Sequence, residues 1–223
     1  MPSLDNDGRI WRLDVGDDEN RMTPEWLDVT EALLDDVVSA DEPGVLLTTG
    51  RGKFFSNGLE LESAGPPDQF AAYVARVERL LARILTLSVP TVAAINGHAF
   101  GAGAMLALAH DYRVMRADRG YFCLPEVDLG IPFTPGMSAL VQSRVSAQTA
   151  VRAMTSGARY GAVNAVEAGL VEEAAELSDL ESTAVRLVEG LAGKDRATLG
   201  TIKRIMFTDV LTALGPAGSE MHE

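Results

Sequence analysis

GRGKFFSNGLEL, residues 50–61, and NGHAFGAGAMLALAHDYRV, residues 96–114, decide how this chain is read. An apolar run precedes each: Val45-Leu46-Leu47-Thr48-Thr49 before the first, Thr91-Val92-Ala93-Ala94-Ile95 before the second. Short apolar runs of this kind, bounded by turn signals, predict buried strands. Glycines at 50, 52 and 58, and at 97, 101 and 103, allow tight turns and close backbone approach. Each loop precedes a stretch able to start a helix. Two such corners can aim two backbone N–H groups at one point, which stabilises a developing oxyanion by roughly 3–4 kcal/mol per donor where water is excluded. Neither loop is a common phosphate cradle. Phe54 follows Lys53 where a Ser or Thr is required, and the second loop lacks G-x-G-x-x-G.

A third segment, Leu124-Pro125-Glu126-Val127-Asp128-Leu129-Gly130-Ile131, sets a carboxylate among apolar neighbours. Together the two loops and this segment resemble the crotonase family, the enoyl-CoA hydratases and isomerases. The likeness runs from Glu19-Asn20-Arg21-Met22-Thr23-Pro24 to a helical C-terminal part. The wording FFSNGLEL and HAFGAGAMLALAHDYRVMRADRGYF is closest to the enoyl-CoA isomerases of fatty-acid oxidation. The resemblance implies an α/β fold, a crotonase-like superhelix of repeated β-β-α units. It also implies a core with the CoA-thioester site over residues 1–172 and a helical oligomerisation segment over 173–223, in a homotrimer or dimer of trimers.

The resemblance also implies residue roles. The backbone N–H groups of Leu59 and Ala102 correspond to the oxyanion donors. Glu126 corresponds to the acid-base glutamate within P-E-x-x-L-G, and its apolar flanks are expected to raise its pKa toward the range of proton transfer. Arg51, Lys53, Phe55, Ser56, Asn57, Gly58, Gly101, Met105 and Phe133 are expected to bind substrate, with Arg51 and Lys53 near the CoA nucleotide. Phe54, Phe55, Pro132, Phe133 and Met137 could line an acyl tunnel or serve as core. Family hydratases carry a second glutamate where this chain has Met105, and one carboxylate suffices to move a proton from C2 to C4 of a 3-enoyl thioester. Asp128, two residues from Glu126, would share its direction in an extended segment. Glu60 stands where the family more often has Asp.

These features imply an enoyl-CoA isomerase. The alternatives are another CoA-thioester reaction, hydration or thioester hydrolysis, and a non-catalytic acyl-CoA-binding protein. No metal or redox cofactor is expected, CoA being part of the substrate.

The 223 residues carry a net charge of −13, which argues against nucleic-acid and anionic-membrane partners. Local cations for an anionic ligand would come from Arg51 and Lys53, or from Lys194, Arg196, Lys203 and Arg204. The single cysteine, Cys123, reads as a small buried hydrophobe. Three histidines without ligand spacing offer no metal site. His98 reads as a loop-holding residue, and His110 with Asp111 as a cap or buried hydrogen bond. The polar N-terminus and the Met221-His222-Glu223 end resemble no targeting signal, so a cytoplasmic protein is expected.

Elsewhere, Arg9–Val15 reads as a strand. A helix begins at Thr23-Pro24 with Trp26, Val29, Leu33 and Val37 on one face. A second runs from about Asp68 to Leu87 with Phe70, Val74, Val77, Leu81 and Ile84 buried. Ala104–His110 is helical, and Tyr112–Met115 and Tyr121–Leu124 are short strands. Leu177–Leu191 and Arg196–Leu214 carry apolar stripes. Leu199, Ile202, Ile205, Met206 and Val210 would face either neighbouring subunits or the chain's own core.

Overall fold

The computed structural model describes residues 1–40, 42–61 and 66–215. Glu62 and the Met221-His222-Glu223 end lie outside them.

A hairpin of β1 (Ser3–Asn6) and β2 (Ile10–Asp14) leads to α1 (Pro24–Ser39). Thr23 caps α1 as expected, its hydroxyl accepting from the Trp26 N–H at 3.1 Å. The buried face is Trp26, Leu27, Thr30, Leu34 and Val37, with Val29 and Leu33 only half-buried. The helix is therefore turned by about one residue from the expected stripe. One fixed point is the Trp26 indole, which donates to the Val15 carbonyl at 2.9 Å.

The chain then repeats one unit. Strand β3 (Val45–Thr49) crosses a loop to β4 (Phe54–Ser56) and continues to α2 (Pro67–Leu85). Strand β5 (Thr91–Ile95) crosses to β6 (His98–Phe100) and into α3 (Ala102–Ala109). Strand β7 (Tyr112–Arg116) crosses to β8 (Phe122–Cys123) and into α4 (Glu126–Leu129). The first strand of each unit joins a large sheet and the second a small one. After α5 (Pro135–Arg144) and α6 (Ala147–Ser156) come β9 (Arg159–Tyr160), α7 (Ala162–Glu167) and β10 (Glu173–Ala175). The large sheet runs β1-β2-β3-β5-β7-β10, parallel except for the first pair. The small sheet runs β4-β6-β8-β9, with only β8 and β9 antiparallel. These are the expected β-β-α repeats of the crotonase superhelix.

Because β3 neighbours β5 in one sheet and β4 neighbours β6 in the other, the two glycine loops are forced side by side. Their backbones touch: a Cβ on Gly97 would fall 2.1 Å from the Lys53 carbonyl oxygen. Two asparagines brace them. Asn96 accepts from the Gly50 N–H at 3.0 Å and donates to the Phe54 carbonyl at 3.2 Å. Asn20, buried with φ +49°, donates toward the carbonyls of Gly16, Phe54 and Phe55 at 3.1–3.2 Å.

From residue 173 the described residues form β10, which pairs with β7, and then helices. Helix α8 (Leu180–Val188) covers the large sheet, with Leu180, Ala184 and Val188 on Val45, Leu47, Val92, Ala94 and Val114. The stretch read as one helix over Arg196–Leu214 is two, α9 (Arg196–Met206) and α10 (Thr208–Ala213). Ile202, Ile205 and Met206 stand 53, 71 and 62% exposed, whereas Val210 is buried in the chain's own core. Lys203 is also buried, donating to the Asp111 carboxylate at 2.6 Å and the Val89 carbonyl at 2.9 Å. Arg196 binds carbonyls at the end of α1. Neither is available to an external anion. His110 is buried and donates from Nδ1 to the Leu106 carbonyl, leaving Nε2 to accept from the Thr48 hydroxyl, both at 2.8 Å.

Candidate active site

Peptide planarity aims the first donor. The Gly58 carbonyl and the Leu59 N–H share one trans plane and point in opposite directions. The Met22 N–H donates to the Gly58 carbonyl at 2.9 Å, so the Leu59 N–H faces away from that strand. No described residue accepts from it. The second donor sits at a helix start. The first intrahelical bond of α3 runs from the Met105 N–H to the Gly101 carbonyl at 3.0 Å. The Ala102 N–H therefore has no acceptor within the helix and points out of its positive end. Gly101 makes this corner with φ +52° and ψ −123°, a conformation that glycine alone adopts readily.

The two donors are neighbours. A Cβ on Gly58, whose φ is +82°, would lie 3.0 Å from the Ala102 nitrogen. The absence of side chains at 58 and 101 leaves the space between the loops open. Glu126 closes the arrangement, for a Cβ on Gly101 would lie 3.3 Å from Glu126 Oε1. The described residues lining the resulting cavity of 410 Å³ include Asn57, Leu59, Gly101, Ala102, Pro125 and Glu126, with Leu61, Phe100, Cys123, Leu129 and Ile131 as apolar wall and Arg21 and Arg159 at its edges.

Glu126 is the only carboxylate among those lining residues. Its Oε2 is buried and has no hydrogen-bond partner among the described residues. Burial pushes its pKa up to about 7, because desolvation disfavours the ion. The expectation of a desolvated carboxyl is met. Asp128 takes another course. The segment is the short helix α4 rather than an extended strand, so residues two apart diverge. Asp128 is exposed and lies against Gly157, where an added Cβ would meet its Oδ2 at 2.2 Å.

The structure divides the expected substrate-binding residues. Asn57 and Gly101 line the cavity, and Gly58, absent from the described lining, lies against the Ala102 nitrogen. Phe55, Ser56 and Met105 are buried and absent from the described lining. Ser56 instead donates to the Asn20 carbonyl at 2.7 Å and accepts from the Gly58 N–H at 3.2 Å. Phe133 packs half-buried against the main core. Arg51 is turned away, its Nε 2.5 Å from Asp14 Oδ2, beside a different cleft. Lys53 lies over the Phe54 ring at 5.1 Å.

Arg159 was not anticipated, being distant in sequence from every motif. Its guanidinium lies 5.8 Å from the Phe100 ring centre. His98 stands between Phe54 and Phe100, with ring centres at 5.4 and 5.0 Å. Burial lowers its pKa, and the charges of Lys53, Arg119 and Arg159 lower it further. Cys123 is buried as expected but also lines the cavity, and burial raises its thiol to about 11.

A family model described as enoyl-CoA hydratase/isomerase matches residues 17–221. The chain belongs to that family. Enoyl-CoA delta isomerase 3 of Arabidopsis thaliana is 38% identical, over 94% of this chain and 93% of the relative. Enoyl-CoA delta isomerase 2, peroxisomal, of the same plant is 35% identical over 96% and 95%. Human mitochondrial delta3-delta2-enoyl-CoA isomerase shares the fold at a TM-score of 0.88 and 21% identity, over 100% of this chain and 92% of that one. Among the described residues of this enoyl-CoA hydratase/isomerase family member, no helix is long and apolar enough to cross a membrane.

Proposed function

We propose that the protein is an enoyl-CoA delta-isomerase that moves a double bond from the 3- to the 2-position of an acyl-CoA thioester. The observation that carries this is Glu126, the single carboxylate among the described lining residues, facing a cavity with two backbone donors that no described residue engages. The thioester carbonyl accepts from the Leu59 and Ala102 N–H groups, which acidifies C2. Glu126 takes a C2 proton, and the electron pair spreads over the dienolate, with its oxygen held by the two donors. The protonated Glu126 returns the proton at C4, so C3=C4 becomes C2=C3 and no water is consumed. A carboxyl with a pKa of about 7 suits both halves of this shuttle. The reading invokes no metal or redox cofactor, and CoA belongs to the substrate.

Lys53 and Arg159, with Arg119 beside them, are the proposed contacts for the CoA phosphates. They gather around the Phe54-His98-Phe100 rings, whereas Arg51 is engaged by Asp14. A cytoplasmic homotrimer or dimer of trimers acting in fatty-acid β-oxidation completes the proposal, with the exposed Ile202, Ile205 and Met206 as subunit contacts. Light scattering of the purified protein tests the assembly.

The deciding assay follows the ultraviolet rise of the conjugated thioester from 3-hexenoyl-CoA, with 2-hexenoyl-CoA run beside it for hydration. Glu126→Gln should lose about two or more orders of magnitude in rate while keeping affinity for hexanoyl-CoA. Turnover by hydration or thioester hydrolysis, or binding without turnover, would replace the isomerase reading.

A further inference from the structure

We infer that Tyr73 is a positioning residue for the oxyanion hole, fixing the peptide plane that follows Leu59 and so aiming the Leu59 N–H. The inference rests on the hole proposed above. Tyr73 stands on α2 and is not among the described residues that line the cavity. Its hydroxyl accepts from the Glu60 N–H at 2.9 Å and donates to the Met22 carbonyl at 2.9 Å. Met22 in turn donates to the Gly58 carbonyl at 2.9 Å. The two peptide planes flanking the Leu59 Cα are thus held from outside the loop, one by Met22 and the other by Tyr73.

The Leu59 N–H lies in the plane shared with the Gly58 carbonyl, which Met22 holds directly. Only φ and ψ of Leu59 link that plane to the next, which Tyr73 holds, so the second anchor limits how far the first can turn. Neighbouring amides are occupied as well. Asn57 N–H donates to the Glu19 carbonyl at 2.9 Å and Gly58 N–H to the Ser56 hydroxyl at 3.2 Å. From 57 to 60, Leu59 alone keeps an N–H without an acceptor among the described residues. A phenol is suited to this junction because one hydroxyl both accepts and donates. It joins the segment before α1 to the residue after the donor.

The test uses the full chain and hexanoyl-CoA labelled with 13C at the thioester carbonyl. Polarisation by the hole lowers the carbonyl stretching frequency of the bound ester, which difference infrared spectroscopy reads without any turnover. The native protein and Glu126→Gln should show the same lowering. Tyr73→Phe, which keeps the ring, should show a smaller one, with kcat down on the order of 10-fold and KM within about two-fold. A merely structural role would lower the melting temperature and leave the frequency and kcat of the folded fraction unchanged, and that result overturns the inference. No lowering in the native protein would remove the hole itself, a failure visible before any Tyr73 variant is made.

Should Tyr73→Phe not fold, a ring-fluorinated tyrosine at 73 preserves shape while acidifying the phenol. Its phenolate cannot donate to the Met22 carbonyl. Both kcat and the carbonyl shift should then fall as that phenol ionises, and indifference of both to its ionisation overturns the inference.

Discussion

Lowering the pH from 8 to 6 should reduce kcat/KM for 3-hexenoyl-CoA by about 10-fold. With a pKa of about 7, Glu126 is about nine-tenths ionised at pH 8 and about one-tenth at pH 6. A carboxyl at the ordinary value of 4.5 would lose only a few per cent of its ionised form over the same range. The two cases therefore differ by almost an order of magnitude in one experiment. Initial rates at subsaturating substrate report the free enzyme, and hexanoyl-CoA affinity measured at each pH separates binding from proton abstraction. A flat profile between pH 6 and 8 with unchanged affinity would refute the link between burial and basicity. Stability carries the same signature with a definite sign. The folded pKa lies above the unfolded value, so the stabilisation from protonation is complete below about 4.5 and lost as the pH rises through about 7. Glu126→Gln should thus be more stable than the native protein at pH 8, by about 1–2 kcal/mol once solvent screening of a partly exposed carboxyl is allowed for. The gap should close toward pH 5, as urea titrations would show.

Three further outcomes are expected. Gly58→Ala would place a methyl 3.0 Å from the Ala102 nitrogen and 2.7 Å from the Phe100 carbonyl oxygen at φ +82°. It should cost about 1–2 kcal/mol of stability and at least about 100-fold in kcat, and a folded variant with native rates would rule out this hole. Met105 is 1% exposed, so Met105→Glu should lower stability by about 2 kcal/mol or more through a buried carboxyl. Its folded fraction should gain hydration of 2-hexenoyl-CoA if a missing second carboxylate is what limits that reaction, and product analysis decides. Lys53→Ala and Arg159→Ala should each raise KM for 3-hexenoyl-CoA several-fold and leave KM for the pantetheine thioester unchanged, whereas Arg51→Ala should alter neither. Equal effects on both esters would remove these cations from nucleotide binding.

Much of this was legible in particular residues. The Thr23-Pro24 cap, the five-residue apolar runs before each loop and the glycines at 58 and 101 predict elements found within a few residues of their expected bounds. Glu126 could be chosen because it falls within P-E-x-x-L-G among apolar neighbours, of which Pro125, Leu129 and Ile131 line its cavity while Val127 is exposed. The signals that failed were those requiring a direction in space. Arg51 and Lys53 look equivalent two residues apart, yet Asp14 engages the first and the Phe54 ring underlies the second. Asp128 appeared parallel to Glu126 until α4 wound the segment into a helical turn.

Capping, turn chemistry and apolar periodicity act between residues a few positions apart, so the sequence alone determined the repeated strand, loop and helix units. Tertiary structure decided what meets across them. Asn20 reaches carbonyls up to 35 residues away, Tyr73 reaches one 51 residues away, and Lys203 reaches one 114 residues away. Such bonds form because groups shielded from water are costly without partners, and only the folded arrangement of the two sheets determines which partner is near.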